Sequence, residues 1–539
     1  MKNQNYPLYE VEPVNDLKEL VDLAAEKYGD HPAFTFERDK EIVHISYRQF
    51  KSDVDALGTA LFNMGIKDAK VAVIGENSYE WILTYFAVVN SGNVIVPLDR
   101  ELPPEDIEYL LTDSDANILV FSSNYADVAD YMKNRGMMMR HYINMNTILS
   151  LLEKGNSLLR NGEKSIVDYK INDMALAAIL YTSGTTGMAK GVMLSHQGIV
   201  NNAIDCSRNN ELLCSNLQVL PLHHSFGFIS ICVMLIQKTE TCINSSLKNV
   251  LADLDKFKPI NIVLVPLFVE TFYKKIWDTA KKQQKDKQLR MLIKISNAML
   301  KTGIDMRRQL FKSVLRSFGG NLRFIVCGGA PLDEKYVMGF RDFGIYIMNG
   351  YGITECSPIV SANRNYYYRD GSVGLIIPGV DVKIMEPDES GHGEICVNGD
   401  IVMLGYFKNE QATREAFDDE WFKTGDIGYL DDDGFLFISG RKKNVIILSN
   451  GKNVYPEELE FALLNQIPYI KETVVYAESN LIVAEVFLDT ENDSDCVSRL
   501  DGDILQFNKT QAPYKNISRT VIRETEFPKT TTQKIKRQK

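Results

Sequence analysis

Between residues 71 and 122 the chain alternates short apolar runs with helically spaced apolar positions: 71–75, 94–98 and 118–122 read as strands, 78–89 and 104–112 as helices. This βαβαβ order constrains the fold more than any other feature. Strands joined by helical crossovers lie parallel, and the crossovers cover the faces of the sheet. The texture recurs elsewhere, with a helix expected over 16–28, strands over 175–181 and 262–266, a strand-to-loop transition over 324–331, and one long basic helical segment over 269–318. Ser195 is placed to cap a helix over 196–205. From residue 374 the runs shorten and fill with Gly, Pro and Asp, as around 380–385 and 393–398, which reads as a small β subdomain. The predicted class is α/β: a large N-terminal domain, 1–440, of parallel helix-covered sheets plus that subdomain, then a small α+β domain, 441–539, with strands near 473–477 and 481–487.

The segment 181–191 follows an apolar strand and carries four aliphatic hydroxyls (Thr182, Ser183, Thr185, Thr186), three glycines (Gly184, Gly187, Gly191) and Lys190. Such a loop suits a polyphosphate, with ATP the obvious choice. Glycine lets the backbone approach a ligand, hydroxyls and exposed amides donate to phosphate oxygens, and lysine supplies charge. It is no Walker A loop, because Ala189 precedes the lysine and Gly191 follows it, so a P-loop phosphotransferase is disfavoured. Small and polar groups recur at other expected strand ends, at 220–227, 328–331 and 348–358. Open α/β sheets bind ligands at the carboxyl ends of their strands.

Composition excludes several classes. The longest apolar run, 226–236, is far short of a membrane span, and the N-terminus lacks the apolar core of a secretory signal, so a cytoplasmic location is expected. Eight cysteines stand singly without a CxxC pair and seven histidines form no HExxH, which reads as reduced thiols and no structural metal. Net charge is −11, yet 271–323 holds 14 Lys/Arg against 3 Asp. Such a run is either the solvated face of long helices or a surface for anionic lipid, an acidic carrier protein or the phosphates of a thiol cofactor.

Five segments then match one pattern in order: 181–191, the run Tyr351, Gly352, Ile353, Thr354, Glu355, the run Thr424, Gly425, Asp426, the pair Gly440, Arg441 with 451–458, and the late Lys534. On these the chain resembles the adenylate-forming superfamily of acyl-CoA synthetases, aryl-CoA ligases, peptide-synthetase adenylation domains and luciferases. The run 451–458 looks most like fatty acyl-CoA synthetases of the long-chain type. The resemblance implies two steps: a carboxylate attacks the α-phosphate of Mg-ATP to give acyl-AMP and pyrophosphate, and a thiol then displaces AMP. It implies ATP, Mg²⁺ and coenzyme A as reactants, no nucleic acid partner, and a small C-terminal domain that rotates about a hinge near Lys443.

Carried over by similarity, Lys190 with Thr182, Ser183, Gly184, Thr185, Thr186 and Gly187 would hold the pyrophosphate end, Thr354 would contact phosphate, and Glu355 would bind Mg²⁺. Tyr351 and Gly352, with the turn Gly328, Gly329, Ala330, would take adenine; Asp426 would accept from the ribose hydroxyls, with Arg441 beside it. Lys534 would be the catalytic cation of adenylation. The chain departs from the family here, with Gln533 where glycine is common before this lysine. Gly451 would leave room for a pantetheine arm, a structural turn being the other reading.

His224, Phe226 and Gly227 give the best local handle on the acid. The stretch 223–227 has no aspartate to meet a substrate ammonium, which disfavours amino acids, and Phe226, Phe228 and Ile229 suit an alkyl or aryl tail. His224 is read as a gate or as a core histidine. A fatty acid and coenzyme A are the expected substrates; an acyl-AMP ligase loading a carrier-protein phosphopantetheine thiol is the nearest alternative, and a silent nucleotide-binding protein the more distant one.

Overall fold

The computed structural model describes residues 3–182, 189–448, 452–478, 481–491, 493–529 and 535–537. They divide into two units, Met1–Asp381 with Val397–Phe422, and Val382–Cys396 with Lys423–Lys539.

In the larger unit the βαβαβ run is built as read. Lys70–Ile74 pairs in parallel with both Val94–Pro97 and Ile118–Phe121, and Tyr79–Asn90 and Pro104–Asp113 are the crossover helices. Every side chain of Tyr79–Asn90 except Glu80 is buried, which explains why its sequence is apolar nearly all round. The finished sheet has seven strands, in the order Gly405–Tyr406, Lys190–Ser195, Leu176–Thr182, Val94–Pro97, Lys70–Ile74, Ile118–Phe121, His141–Asn144. Leu119, Val96 and Ile179 from its strands pack with Leu110 and Met132 from the helices. Leu17–Tyr28 is helical as expected, and Ser195 Oγ accepts from Gly198 N at 3.0 Å to cap His196–Asn209.

A second sheet of nine strands has a parallel centre formed by Glu240–Ile243, Ser215–Gln218, Asn261–Leu264, Phe324–Cys327 and Tyr346–Gly352. Strand Asn261–Leu264 stops short of the expected Pro266, because that proline opens the next helix, where its missing N–H costs nothing. The basic segment 269–318 is helical as read, built as Pro266–Lys282, Asp286–Lys301, Arg307–Leu310 and Lys312–Arg316. Gln284 and Gly303 take positive φ, +56° and +88°, at the first two breaks. Only the inner faces of these helices reach the core, through Val269, Phe272, Ile276, Phe311 and Leu315.

In the smaller unit Asp381–Met385, Gly393–Asn398, Trp421–Leu430 and Leu436–Arg441 lie in one sheet, the short β runs read from residue 374 onward. Ile470–Glu478, Leu481–Leu488 and Arg519–Arg523 make a separate three-stranded sheet, packed by Pro456–Gln466 and Cys496–Lys509 through Leu459, Leu463, Leu500 and Phe507. The fold class is thus the α/β arrangement expected. None of the eight cysteines, all among the described residues, is joined in a disulfide, and six are buried. Among the described residues no helix is long and apolar enough to cross a membrane.

Candidate active site

Two paired strands flank the hydroxyl-rich sequence. Leu176–Thr182 and Lys190–Ser195 run antiparallel, with Thr182 opposite Lys190. Ser183, Gly184, Thr185, Thr186 and Gly187 lie outside the described residues, as do Gly451, Gln533 and Lys534. The Tyr181 hydroxyl donates to Asp113 Oδ2 at 2.6 Å, and this bond together with burial holds the phenol neutral. Gly191 has no room for a side chain: a Cβ there would lie 2.9 Å from Ile179 Cγ2.

Lys190 Nζ sits 4.8 Å from the centroid of the Tyr406 ring, and the Tyr406 hydroxyl donates to Glu355 Oε1 at 2.9 Å. Tyr406 reaches this position because Gly405–Tyr406 pairs with the Lys190–Ser195 strand. Glu355 is only 8% exposed, and its backbone carbonyl accepts from Met403 N. Burial and the Glu355 charge push the Tyr406 phenol up, so it remains a donor. One face of the tyrosine therefore meets a cation while its hydroxyl meets a carboxylate. Glu355 lies in the short turn Thr354–Cys356 that follows Tyr346–Gly352, and Thr354 Oγ1 is 3.3 Å from Ser225 Oγ. The turn is tight: a Cβ on Gly352 would meet Pro358 O at 2.4 Å.

Tyr351 is half-buried in the same strand, opposite Ser361. Gly329 and Ala330 are exposed, Gly329 with φ +87°, while Gly328 is buried with its α-carbon facing the Phe226 ring. Phe226 and the Gly328 turn, quoted separately in the sequence, therefore meet. Phe228 and Ile229 are both buried. Phe228 stacks on Tyr85 at 3.6 Å between centroids and Ile229 is 3% exposed, because both point into the packing of helix Ser225–Ile236. Gly227 is buried at a backbone crossing, where a Cβ would lie 2.1 Å from Pro221 O.

The 223–227 stretch lacks an acid in sequence, but the fold supplies one. Asp99, just past strand Val94–Pro97, brings Oδ1 to 3.4 Å from His223 Nε2, and the His223 and His224 rings are 4.2 Å apart. Tyr406, Asp113 and Asp99 were not singled out by sequence reasoning, and no local signal could have found them. Each acts through a strand pairing or crossover made far along the chain.

In the smaller unit Asp426 and Arg441 are cross-strand partners, with Arg441 Nε 2.9 Å from Asp426 Oδ1. Asp426 is buried and the Arg441 side chain is 44% exposed. Thr424 Oγ1 donates to Ile395 O and accepts from Asp426 N, fixing the turn in which Gly425 takes φ +70°. Lys443 lies in the turn Lys442–Asn444, flanked by Lys442 on Glu394 and Asn444 on Glu457. Lys529 and Ile535 form an antiparallel bridge, and Lys536 N donates to Pro528 O. Arg537 then anchors the tail on Glu460 and on Val475 O.

The α/β fold, with its large N-terminal part and smaller C-terminal part, matches that of adenylate-forming enzymes of known structure. The sequence pattern described as "AMP-binding enzyme" matches residues 21–407, and that described as "AMP-binding enzyme C-terminal domain" matches 443–539. The chain belongs to the AMP-binding enzyme family. Among curated relatives, the long-chain-fatty-acid–CoA ligase FadD15 of Mycobacterium tuberculosis is 28% identical over 537 residues, covering 90% of this chain and 88% of its own length. The human long-chain-fatty-acid–CoA ligase ACSBG1 is 29% identical over 529 residues, covering 90% of this chain and 72% of its own. Among solved structures, the anthranilate CoA ligase AuaEII in complex with anthranoyl-AMP superposes with a TM-score of 0.76 at 21% identity, covering 99% of this chain and 97% of its own. O-succinylbenzoate coenzyme A synthetase (MenE) from Bacillus subtilis, in complex with ATP and magnesium ion, gives 0.72 at 21% identity over 96% of this chain and 98% of its own.

Proposed function

We propose that this enzyme activates a fatty acid with ATP, forming acyl-AMP and releasing pyrophosphate, and then transfers the acyl group to the thiol of coenzyme A with release of AMP. The observation that carries the reading is the array of Lys190, Tyr406 and Glu355 with the neighbouring Thr354 and Ser225 hydroxyls, Lys190 closing a glycine- and hydroxyl-rich run of sequence. Adenylation joins two anions, so oriented donors and cations must offset the charge that gathers on the phosphoryl group and on departing pyrophosphate. Lys190, with Thr182, Ser183, Gly184, Thr185, Thr186 and Gly187, would hold the pyrophosphate end, and Thr354 would donate to the α-phosphate. Tyr351, Gly352 and the turn Gly328, Gly329, Ala330 would take adenine, while Asp426 accepts from the ribose hydroxyls and Arg441 steadies the ribose. The buried carboxylate of Glu355 is the hard oxygen donor that Mg²⁺ prefers, so the residue fits that ion. Mg²⁺ bound there would supply positive charge against the phosphates.

Lys534 would place a point charge where carboxylate and α-phosphate meet, an interaction stronger in the transition state than in the separated reactants. The domain 441–539 would turn about Lys443 between steps, a reading supported by the separate C-terminal pattern that begins at residue 443. Gly451 would then admit the pantetheine arm. The names of the relatives and the half-buried Phe226 ring support a fatty acid, with His224 and Gly227 at the same end. A carrier-protein thiol is the other acceptor this chemistry allows. The basic helices would make weak peripheral contact with an anionic membrane.

ATP–pyrophosphate exchange over a panel of carboxylic acids tests the reading. Exchange should rise with alkyl length, and no exchange with any acid would leave only a silent nucleotide binder. Trapping the product with coenzyme A against a carrier protein separates the two acceptors. Lys534→Ala should abolish acyl-AMP formation yet spare thioester formation from supplied acyl-AMP; equal loss of both steps would contradict its role.

A further inference from the structure

A second set of ligand-capable side chains stands at the start of helix Ser225–Ile236. We propose that Asp99, His223 and His224 form a binding site for a divalent transition cation of the zinc class, separate from the carboxylate assigned to magnesium. The two sheets of the larger unit deliver the donors from opposite sides. Asp99 follows strand Val94–Pro97 of one, and the histidines follow Ser215–Gln218 of the other. One ligand atom from each residue lies within 4.8 Å of the other two.

The site is built rather than incidental. The His223 side chain is 8% exposed, and its Nε2, aimed at Asp99, has no hydrogen-bond partner among the described residues. A buried ring nitrogen left unbonded carries its full desolvation penalty, which a metal bond would remove. The backbone presenting the histidines is fixed as well. Leu222 N donates to Asn77 Oδ1 at 3.2 Å, Asn77 Nδ2 donates to Leu220 O at 2.8 Å, and His224 N donates to Pro221 O.

Donor chemistry selects the ion. Two imidazoles and one carboxylate form a three-ligand set with a position left for water or substrate, and imidazole favours zinc, cobalt or nickel over magnesium or calcium. Tetrahedral bonds of about 2.0–2.2 Å set donors roughly 3.4 Å apart, the spacing His223 Nε2 and Asp99 Oδ1 already have, and the remaining donor, within 4.8 Å, is brought in by a side-chain rotation. Such a cation fixes the His224 ring one residue before Ser225, whose hydroxyl faces Thr354. Given the proposed ligase reading, zinc would therefore slow acid activation.

The test uses full-length, tag-free protein stripped of metal. Equilibrium dialysis against Zn²⁺ should show one equivalent bound at micromolar free ion, and Co²⁺ should give the intense visible absorption of a low-symmetry four-coordinate site. His223→Phe and Asp99→Asn should each weaken binding at least tenfold, while Cys214→Ser, which removes an exposed thiol outside the site, should leave it unchanged. Zn²⁺ should also raise the unfolding temperature of the wild type but not of His223→Phe. Absence of stoichiometric binding by the wild type, or binding equal in wild type and both site variants, overturns the proposal. Binding is read without turnover, so a protein that binds zinc here but exchanges no pyrophosphate refutes the ligase reading alone, and the reverse result refutes the site alone.

Discussion

Tyr406 couples the two charged groups on which nucleotide chemistry would depend. Its ring faces Lys190 and its hydroxyl holds a buried Glu355 oxygen, so removing the hydroxyl leaves that carboxylate short of a donor without taking away the ring. A hydrogen bond to a charged group is worth about 1.5–3 kcal/mol, roughly a tenfold to hundredfold effect. Tyr406→Phe should lower kcat/KM for ATP by about that factor and shift the Mg²⁺ concentration needed for half-maximal exchange. Measuring exchange against Mg²⁺ concentration checks this, and an unaltered Mg²⁺ requirement would show that Tyr406 only packs. Lys190 was legible because a lysine in a run of glycines and hydroxyls has a chemical meaning of its own. Tyr406 carried no such mark: an aromatic after glycine means nothing until the Gly405–Tyr406 pairing lays it beside Lys190.

At the scale of elements, apolar periodicity located strands and helices well wherever burial was one-sided or complete. It could not tell which strands share which sheet, because parallel pairing joins segments distant in sequence. The division of the basic helical segment has a local reason that the apolar pattern does not show, since Gln284 and Gly303 leave the right-handed region. Helix His196–Asn209 shows what its well-read cap conceals. His196, 1% exposed, is held neutral by burial, its pKa lowered from 6.5 to about 4. Its stabilising contribution is complete above pH 6.5 and is lost as pH falls toward 4, where the unfolded chain binds the proton and the folded chain does not. Asp205 in the same helix, raised by burial to about 6, works in the opposite sense, its contribution being lost as pH rises through that value. The comparison with His196→Gln isolates the histidine. The stability advantage of wild type over this variant should shrink by up to roughly 3 kcal/mol between pH 6.5 and 4, read by urea unfolding at each pH. A constant difference across that range would mean that His196 protonates without cost in the fold.

Over the whole molecule, charge is distributed as the sequence announced, and the structure adds where the apolar groups of the basic segment lie. Helix Asp286–Lys301 buries only Ser296, leaving Met291 64% and Ile295 43% exposed. Met291, Ile295 and Ala298 follow helical spacing along one face, and exposed Lys287, Lys294 and Lys301 recur at heptad intervals beside them. Leu267 and Ile304, both more than half exposed, lie on neighbouring segments. A stripe of this kind inserts shallowly into a bilayer surface while its lysines meet anionic headgroups, each worth about 1 kcal/mol near the membrane. The protein should therefore sediment with vesicles containing phosphatidylglycerol and not with neutral phosphatidylcholine vesicles. Binding should fall as salt is raised, because screening weakens the lysine term. The double variant Met291→Asp, Ile295→Asp should lose most of the binding while keeping pyrophosphate exchange with a short soluble acid. Equal sedimentation with both vesicle types, or with wild type and double variant alike, would return this face to the ordinary role of a solvated surface.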